Sequence, residues 1–292
     1  MIEIWKRFEL EKLMRKYRLY SSRSYGQNFL VDRNILEKIA DAAEIAEGDH
    51  LIEIGPGLGA LTIMLAKGFP GDDHSGRVTA VEIDNRLIPA LDEVLEGLTN
   101  IEIVNQNFMK YNLPDTRYKI IGNLPYYITT PIIAKLYEPS TQGDGKTLLK
   151  KAPSPPELAV FMMQKEVAER LLSPPGNKTY GAISVLVQYY SDIEFLFSVS
   201  REVFVPKPKV DSAVVRLRPK DVTGNDPAAT ERMFRLVRAG FNMRRKKLRN
   251  SLRQSGFSDE GLTMALDKAG IDPGCRAETL SPQDFYNVAS FL

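Results

Sequence analysis

The residues best suited to chemistry in this chain close a strand-like run at 118–125, where Asn123-Leu124-Pro125-Tyr126 follows YKIIG. An asparagine oxygen, a main-chain carbonyl held outward by the next proline and an aromatic ring make a pocket for an exocyclic amine on a flat base. Such an amine, as in adenine, is a poor nucleophile because its lone pair is delocalised into the ring. The Asn123 side-chain oxygen and the Leu124 carbonyl are two acceptors for its two N–H hydrogens. They favour the pyramidal nitrogen that can attack an electrophilic carbon. Tyr126 stacks on the base and holds it in line, so the work is positioning and electrostatics rather than general-base catalysis. A base in folded nucleic acid must first be turned out of its stack to enter such a pocket. The structural alternative is a turn with a buried tyrosine.

A second group of residues supplies a partner for that amine. Gly55-Pro56-Gly57-Leu58-Gly59-Ala60 follows the strand-like HLIEIG (50–55) and opens a helical stretch. Glycines let backbone approach a ligand, and a helix start offers free N–H groups. Gly55, Gly57 and Ala60 also fit the dinucleotide spacing G-x-G-x-x-A, which leaves a dehydrogenase as one reading. Pro56 removes a donor that a pyrophosphate would use. Glu53 puts a carboxylate just before the turn, a poor neighbour for phosphate and a good one for a cation. S-adenosylmethionine carries an ammonium and a sulfonium and no phosphate, so the loop points to that methyl donor. Glu82, ending the next strand, is placed to accept from ribose hydroxyls, as such acids do in either cofactor class.

The elements that must position these groups follow from apolar spacing. Helical stretches at 34–45, 58–68, 85–98 and 130–138 alternate with strand-like runs at 50–55, 77–84, 101–106 and 118–125. The pattern predicts an α/β fold with a doubly wound, mostly parallel sheet, whose ligands sit at the carboxyl ends of the strands. ELAVFMMQ (157–164) adds a strand and KEVAERLL a short helix. AISVLVQYY (182–190) fits helix or strand. DIEFLFSVS (192–200) and VDSAVVRLRP (210–219) read as an antiparallel pair closing one edge. Residues 139–157, rich in Pro, Gly, Ser and Lys, read as a surface loop, 221–230 as a linker, and 231–292 as helical throughout. The expected domains are a basic helical extension at 1–25, a catalytic domain at 26–220 and a small all-helical domain at 221–292.

With 292 residues, 43% hydrophobic and 26% charged, the chain is long enough for two domains with packed cores. One cysteine, Cys275, precludes an internal disulfide, and with only His50 and His74 beside it no zinc site is expected. No apolar run approaches the roughly 20 residues of a membrane span, and the N-terminus has no secretory pattern. These features describe a soluble, reduced, cytoplasmic protein. Net charge is only +2, but residues 231–253 hold nine Arg or Lys against Glu231, about +8 on one stretch and −6 on the remainder. Residues 1–25 hold seven basic residues against three Glu. Positive charge concentrated on a near-neutral body suits a phosphate-tracking surface, with a solvated helix face as the alternative.

Several segments occur together and in order: GQNFL (26–30), EIGPGLGALT (53–62), VEID (81–84), GNLPYYITTPII (122–133), FMMQKEVAERL (161–171), YGAISVLVQYY (180–190), VFVPKPKVDSAVVRL (203–217) and FNMRRKKLRNSL (241–252). From about residue 20 onward the chain closely resembles the KsgA-type small-subunit rRNA adenine N6,N6-dimethyltransferases. The resemblance implies a Rossmann-like, S-adenosylmethionine-dependent methyltransferase domain and a helical rRNA-binding domain. It implies methyl transfer to N6 of two adjacent adenosines in the 3′-terminal hairpin of small-subunit rRNA, on the small ribosomal subunit or its precursor. A monomer without membrane attachment is the default expectation, since one large RNA partner needs no symmetry and no apolar run is long enough for a span. Carried over by residue, Asn28, Leu30, Glu53, Gly55, Gly57, Glu82, Ile83, Asn107 and Asn123 form the cofactor set. Asn123, Leu124, Pro125 and Tyr126 hold the target amine, and Phe204 is a second aromatic wall for the flipped base. Its alternative is a core phenylalanine at a strand edge.

The chain departs from the family pattern at Asn107, where an Asp usually accepts from the cofactor's adenine amine. An Asn oxygen makes the same bond without charge assistance, which implies weaker cofactor binding rather than lost activity. Arg244, Arg245, Lys246, Lys247, Arg249 and Arg253 are the expected rRNA phosphate contacts, arranged around one helix. The segment around Trp5 and Phe8 reads as a docking helix covering apolar surface. Two rival functions share the motifs: a large-subunit rRNA methyltransferase of the macrolide-resistance type, and a non-catalytic assembly or transcription factor on the same fold.

Overall fold

Runs of aliphatic residues with no polar interruption become central strands, because a strand covered on both faces has no wet side to mark with polar residues. In a computed structural model of the chain, which describes residues 2–19, 27–69, 76–125, 128–137, 155–243 and 246–292, Leu51–Ile54, Val78–Glu82 and Leu158–Met163 are buried without a break. The elements in order are α1 (Arg7–Lys16), β1 (Phe29–Leu30), α2 (Arg33–Ala42), β2 (His50–Ile54), α3 (Ala60–Lys67), β3 (Arg77–Glu82), α4 (Ile88–Leu95), β4 (Ile101–Asn105), β5 (Lys119–Asn123) and α5 (Thr129–Tyr137). They continue with β6 (Leu158–Gln164), α6 (Lys165–Leu172), α7 (Ala182–Tyr190), β7 (Ser191–Val199), β8 (Phe204–Val205), β9 (Ser212–Pro219), α8 (Pro227–Asn242), α9 (Leu248–Gln254), α10 (Asp259–Lys268) and α11 (Pro282–Ser290).

The chain divides into two compact units, residues 1–168 with 194–219, and residues 169–193 with 220–292. Division near 220 is therefore accompanied by a second exchange, with 169–193 grouped among the C-terminal helices.

The first unit carries a seven-stranded sheet in the order β4-β3-β2-β5-β6-β9-β7. Pairs β2–β3, β3–β4, β2–β5 and β5–β6 are parallel, and β6–β9 is antiparallel. Strand order runs outward in both directions from the β2–β5 pair, so a crevice opens at the carboxyl ends of these two strands. Glu53 is level with Ala80 of β3 and Ile121 of β5. A separate two-stranded ribbon joins β1 to β8, with Leu30 opposite Phe204 and Phe29 opposite Val205.

Helix α1 is held by its apolar stripe. Ile4, Leu10 and Leu13 are buried in one cluster with Leu58, Ile63, Leu87 and Leu91 from the α3 and α4 side. Each such leucine contributes about 1.5–3 kcal/mol in burial. The segment is thus a docking helix, although Trp5 packs while Phe8 stays 67% exposed. The second cluster packs α2 (Leu36, Ile39) and α3 (Leu61, Leu65) on β2, β5 and β6, and includes Phe204.

In the second unit, the segment that fitted helix or strand is helix α7. Its start is tied down by Ser184, whose hydroxyl donates to the Arg170 carbonyl and accepts from the Gly181 N–H. Asp226, Ser258 and Ser281 cap α8, α10 and α11 through their side-chain oxygens. Tyr189, Tyr190, Phe234 and Tyr286 form an aromatic cluster that joins α7, α8 and α11. No helix among the described residues is long and apolar enough to cross a membrane.

Candidate active site

Three strand ends line one cavity, Ile54 of β2, Glu82 of β3 and Asn123 of β5, joined by Gln106 and Asn107 just past β4. Its lining contains all nine residues of the expected cofactor set, together with Leu124 and Pro125. The glycine loop turns sharply because Gly55, Gly57 and Gly59 take left-handed backbone angles, φ +67°, +59° and +84°. Gly59 is also a close approach, since a Cβ there would lie 2.9 Å from Leu91 Cδ1.

The loop spends its donors internally. Gly55 N–H donates to Val81 O at 3.0 Å, Gly59 N–H to Pro56 O at 2.9 Å, and Gly57 N–H to Glu82 Oε2 at 3.0 Å. Pro56 has none to give. A pyrophosphate would meet two buried carboxylates and no Lys or Arg in this lining, so the dinucleotide reading does not fit this cavity.

Those carboxylates differ. Glu82 Oε1 accepts from Asp84 N–H at 2.8 Å, so each of its oxygens already holds one amide and keeps capacity for another donor. Burial raises its carboxyl above the usual range, and the two amide bonds oppose that. Glu53 is 1% exposed, and its Oε2 has no hydrogen-bond partner among the described residues. Burial pushes its carboxyl up to about 8, with the Glu82 charge adding to the rise. The Thr62 hydroxyl lies near enough to oppose the shift, yet it too has no partner in hydrogen-bonding geometry. A buried acid left without a partner is an acceptor awaiting a cation or donor. The site therefore fits S-adenosylmethionine: Glu53 for the ammonium, Glu82 for ribose hydroxyls, and Ile83, 42% exposed, as an apolar surface for a flat ring.

Around these groups the wall is braced. Asp84 is 2% exposed, and Arg86 holds its carboxyl below the usual range through contacts of 2.8 and 2.6 Å. Its Oδ2 also accepts from Gln27 Nε2 at 2.8 Å, fixing the strip that carries Asn28. Asn107 Oδ1 accepts from Met109 N–H at 2.9 Å and caps a short turn, 108–110. Lys135 of α5 donates to the Met109 and Tyr111 carbonyls at 2.9 and 2.7 Å and lies over the Phe108 ring, so the turn behind Asn107 is tied to the helix that follows β5.

At the end of β5, Asn123 Nδ2 donates to the Asn28 carbonyl at 3.2 Å. That bond orients the amide: one of its two N–H groups is held by the wall, and Oδ1 meets no donor among the described residues. Leu124 N–H is held by Met162 O at 2.9 Å, and Pro125 follows, which leaves the Leu124 carbonyl beside the amide. Tyr126 lies outside the described residues. Phe204 is placed differently from its expected role. It is fully buried, packs in the sheet cluster opposite Leu30 and does not line the cavity, so the aromatic-wall assignment does not match this placement.

Gln27, Phe29 and Phe108 also line the cavity and were not singled out from the sequence. Their adjacency to Asn28 and Asn107 was the available signal.

The basic stretch is not one helix. Helix α8 ends at Asn242 and α9 begins at Leu248, so Lys246 and Lys247 are exposed in the turn between them. Arg244 and Arg245 lie outside the described residues. Arg249 and Arg253 are on α9, and both face Asp259. Arg249 makes a bidentate pair at 2.9 and 2.8 Å, and Arg253 sits at 3.4 Å.

A parallel sheet with a glycine turn after β2, an acid ending β3 and a cavity across the switch point defines a Rossmann-like methyltransferase. A family model described as ribosomal RNA adenine dimethylase matches residues 19–292, and the chain belongs to that family. It is 42% identical to a ribosomal RNA small subunit methyltransferase A of Ligilactobacillus salivarius, over 96% of this chain and 93% of that one. A protein of the same name from Bacillus mycoides is 41% identical, over 96% and 94%. Among solved structures, a dimethyladenosine transferase from Plasmodium falciparum superposes with TM-score 0.72 at 27% identity, covering 89% of this chain and 95% of that one. The 23S rRNA methyltransferase ErmE gives 0.65 at 31% identity, covering 90% and 99%.

Proposed function

We propose that this enzyme transfers methyl groups from S-adenosylmethionine to N6 of two adjacent adenosines in the 3′-terminal hairpin of small-subunit, 16S-type rRNA, within the cytoplasmic maturation of the small ribosomal subunit. The observation that carries the reading is the oriented amide of Asn123. With Nδ2 engaged by the Asn28 carbonyl, Oδ1 is the atom left to accept from an incoming amine.

When bound, the cofactor supplies an electrophilic methyl group on a sulfonium. The chain's residues do the rest by placement. Glu53 takes the cationic end, Glu82 the ribose hydroxyls, and Ile83 and Asn107 the adenine. Asn123 Oδ1 and the Leu124 carbonyl accept the two N–H hydrogens of the target amine, drawing its nitrogen toward a pyramidal shape and pointing the lone pair at the cavity. Tyr126 is assigned the stacking face for the base. Such preorganised acceptors need no reorganisation as charge develops on the nitrogen. The nitrogen's surplus proton leaves after transfer, and the two neutral acceptors are sites from which solvent can take it. Lys246 and Lys247, with Arg244, Arg245, Arg249 and Arg253, are proposed phosphate contacts.

The large-subunit alternative gains nothing from ErmE, whose 31% identity is below the 41–42% of the small-subunit relatives. Mass spectrometry of the rRNA 3′ end, in cells with and without the protein, tests the function. Two N6,N6-dimethyladenosines that vanish on deletion are expected. An unmodified 3′ end in both strains, or label entering only large-subunit rRNA, overturns the reading. Asn123→Ala should lower kcat by about 10²–10³ while leaving cofactor Kd within a few-fold.

A further inference from the structure

We infer that Arg15 and Arg18, at the carboxyl end of α1, form a phosphate-binding cleft on the sheet-bearing unit that holds the RNA backbone beside the methyl-transfer cavity. The inference rests on the rRNA substrate proposed above, and its observations lie outside the residues assigned there.

Six cations occur between residues 2 and 19, and they divide by type. The lysines are engaged with acids: Lys6 with Glu3 at 2.5 Å, Lys12 with Glu9 at 3.9 Å, and Lys16 with Glu93 of α4 at 2.5 Å. Glu93 also accepts from the Tyr17 hydroxyl at 2.5 Å, which pins the end of α1 to the body. Arg7, Arg15 and Arg18 are exposed and meet no acidic partner among the described residues. The free cations are thus guanidiniums, whose planar fork matches phosphate oxygens.

Arg15 and Arg18 line an open cleft with Met14, Leu19, Val205 and Glu11. Val205 belongs to β8 and pairs with Phe29 of β1, and Phe29 lines the cofactor cavity. One two-stranded ribbon therefore contributes to both the cleft and the cavity. A nucleotide turned into the cavity has its flanking phosphates at the rim that this ribbon helps to form.

The backbone adds a second observation. Arg18 has φ +52°, a left-handed angle just past the helix, where Leu19 N–H returns to Met14 O at 2.8 Å. Glycine is the usual residue at such a helix end. A bulky residue at that angle carries backbone strain; Glu44 takes the same angle past α2 with its carboxylate paired to Arg216 and Arg218, and a ligand for the Arg18 guanidinium would offset the strain in the same way. The competing account is that Arg15 and Arg18 only complement the helix dipole. Glu11 separates the two, because a carboxylate in the cleft opposes phosphate.

The test uses the full chain and under-methylated small ribosomal subunits. Arg15→Ala/Arg18→Ala should raise KM for subunits about tenfold and reduce the slope of log affinity against log salt by roughly 1.5, with kcat and cofactor Kd unchanged. Arg18→Gly should raise Tm yet weaken subunit binding about threefold, a pairing that a dipole role does not give. Glu11→Gln should tighten binding. Wild-type KM and salt slope in the arginine variants, with small-subunit methylation intact, overturn the cleft alone. A wild-type enzyme that leaves small-subunit rRNA unmethylated overturns the function and the cleft together.

Discussion

Glu53→Gln is the most informative substitution in the cavity, because the proposed partner of the cofactor ammonium is a carboxyl whose charged form burial disfavours. Its group titrates near 8 when the cavity holds no cation, so at pH 7 about one molecule in eleven carries the charge that an ammonium would meet. Ionising the rest costs about 1.4 kcal/mol at that pH, the equivalent of one pH unit. Cofactor affinity should therefore strengthen close to tenfold between about pH 6 and about pH 7. Binding at pH 7 should release nearly one proton, readable by calorimetry in buffers of different ionisation enthalpy. In Glu53→Gln the share of the slope and of the proton release that belongs to Glu53 should be lost. Glu82 faces the same cavity, but its two amide bonds are unchanged in the variant, so any slope it contributes remains in both proteins.

The same group predicts a stability effect of opposite sign. An acid whose folded pKa is raised is neutral in both states at low pH. It then destabilises the fold progressively as pH rises from the ordinary 4.5 to about 8. The cofactor-free Gln variant should therefore melt above wild type, by an increment that grows over that range to a few kcal/mol at most. Equal melting at pH 5 and pH 8, or a cofactor Kd in wild type that ignores pH, would refute the argument that Glu53 is a strained acceptor kept for a cation.

Three further outcomes follow from the geometry. Gly59→Ala combines a left-handed backbone with a Cβ 2.9 Å from Leu91 Cδ1, and should destabilise by about 1–3 kcal/mol in denaturant titration; a loss under 0.5 kcal/mol would show that the loop relaxes freely. Asn107→Asp keeps the bond to Met109 N–H and adds charge toward an adenine amine, so cofactor Kd should fall about three- to tenfold; an unchanged Kd removes Asn107 from the adenine site. Lys246→Glu/Lys247→Glu should weaken subunit binding and flatten its salt dependence while sparing cofactor Kd, and salt titrations identical to wild type would exclude that turn from the RNA surface.

What the sequence made legible was whatever depends on neighbours along the chain. Strand ends, the glycine turn and the asparagine motif follow from local spacing, and a parallel sheet gathers strand ends on one edge without further information. Spacing marks Glu53, Gly55, Gly57, Glu82 and Asn123, which line one cavity, whereas Asn28, Leu30 and Asn107 on the same wall were named only through the family resemblance. Legibility stopped wherever a partner comes from elsewhere. Nothing adjacent to Phe204 signals that pairing with β1 turns it into the core, and nothing adjacent to Arg249 signals that Asp259 already holds it. Charge counted along 231–253 treats every cation as available, yet the fold engages some and leaves others. The same sorting in α1 ties down the lysines and leaves the arginines open. A basic stretch is therefore evidence for an RNA surface only after its acids have been located in space. By that measure Lys246, Lys247, Arg15 and Arg18 are stronger candidates than Arg249, although the helix carrying Arg249 lies in the most basic part of the chain.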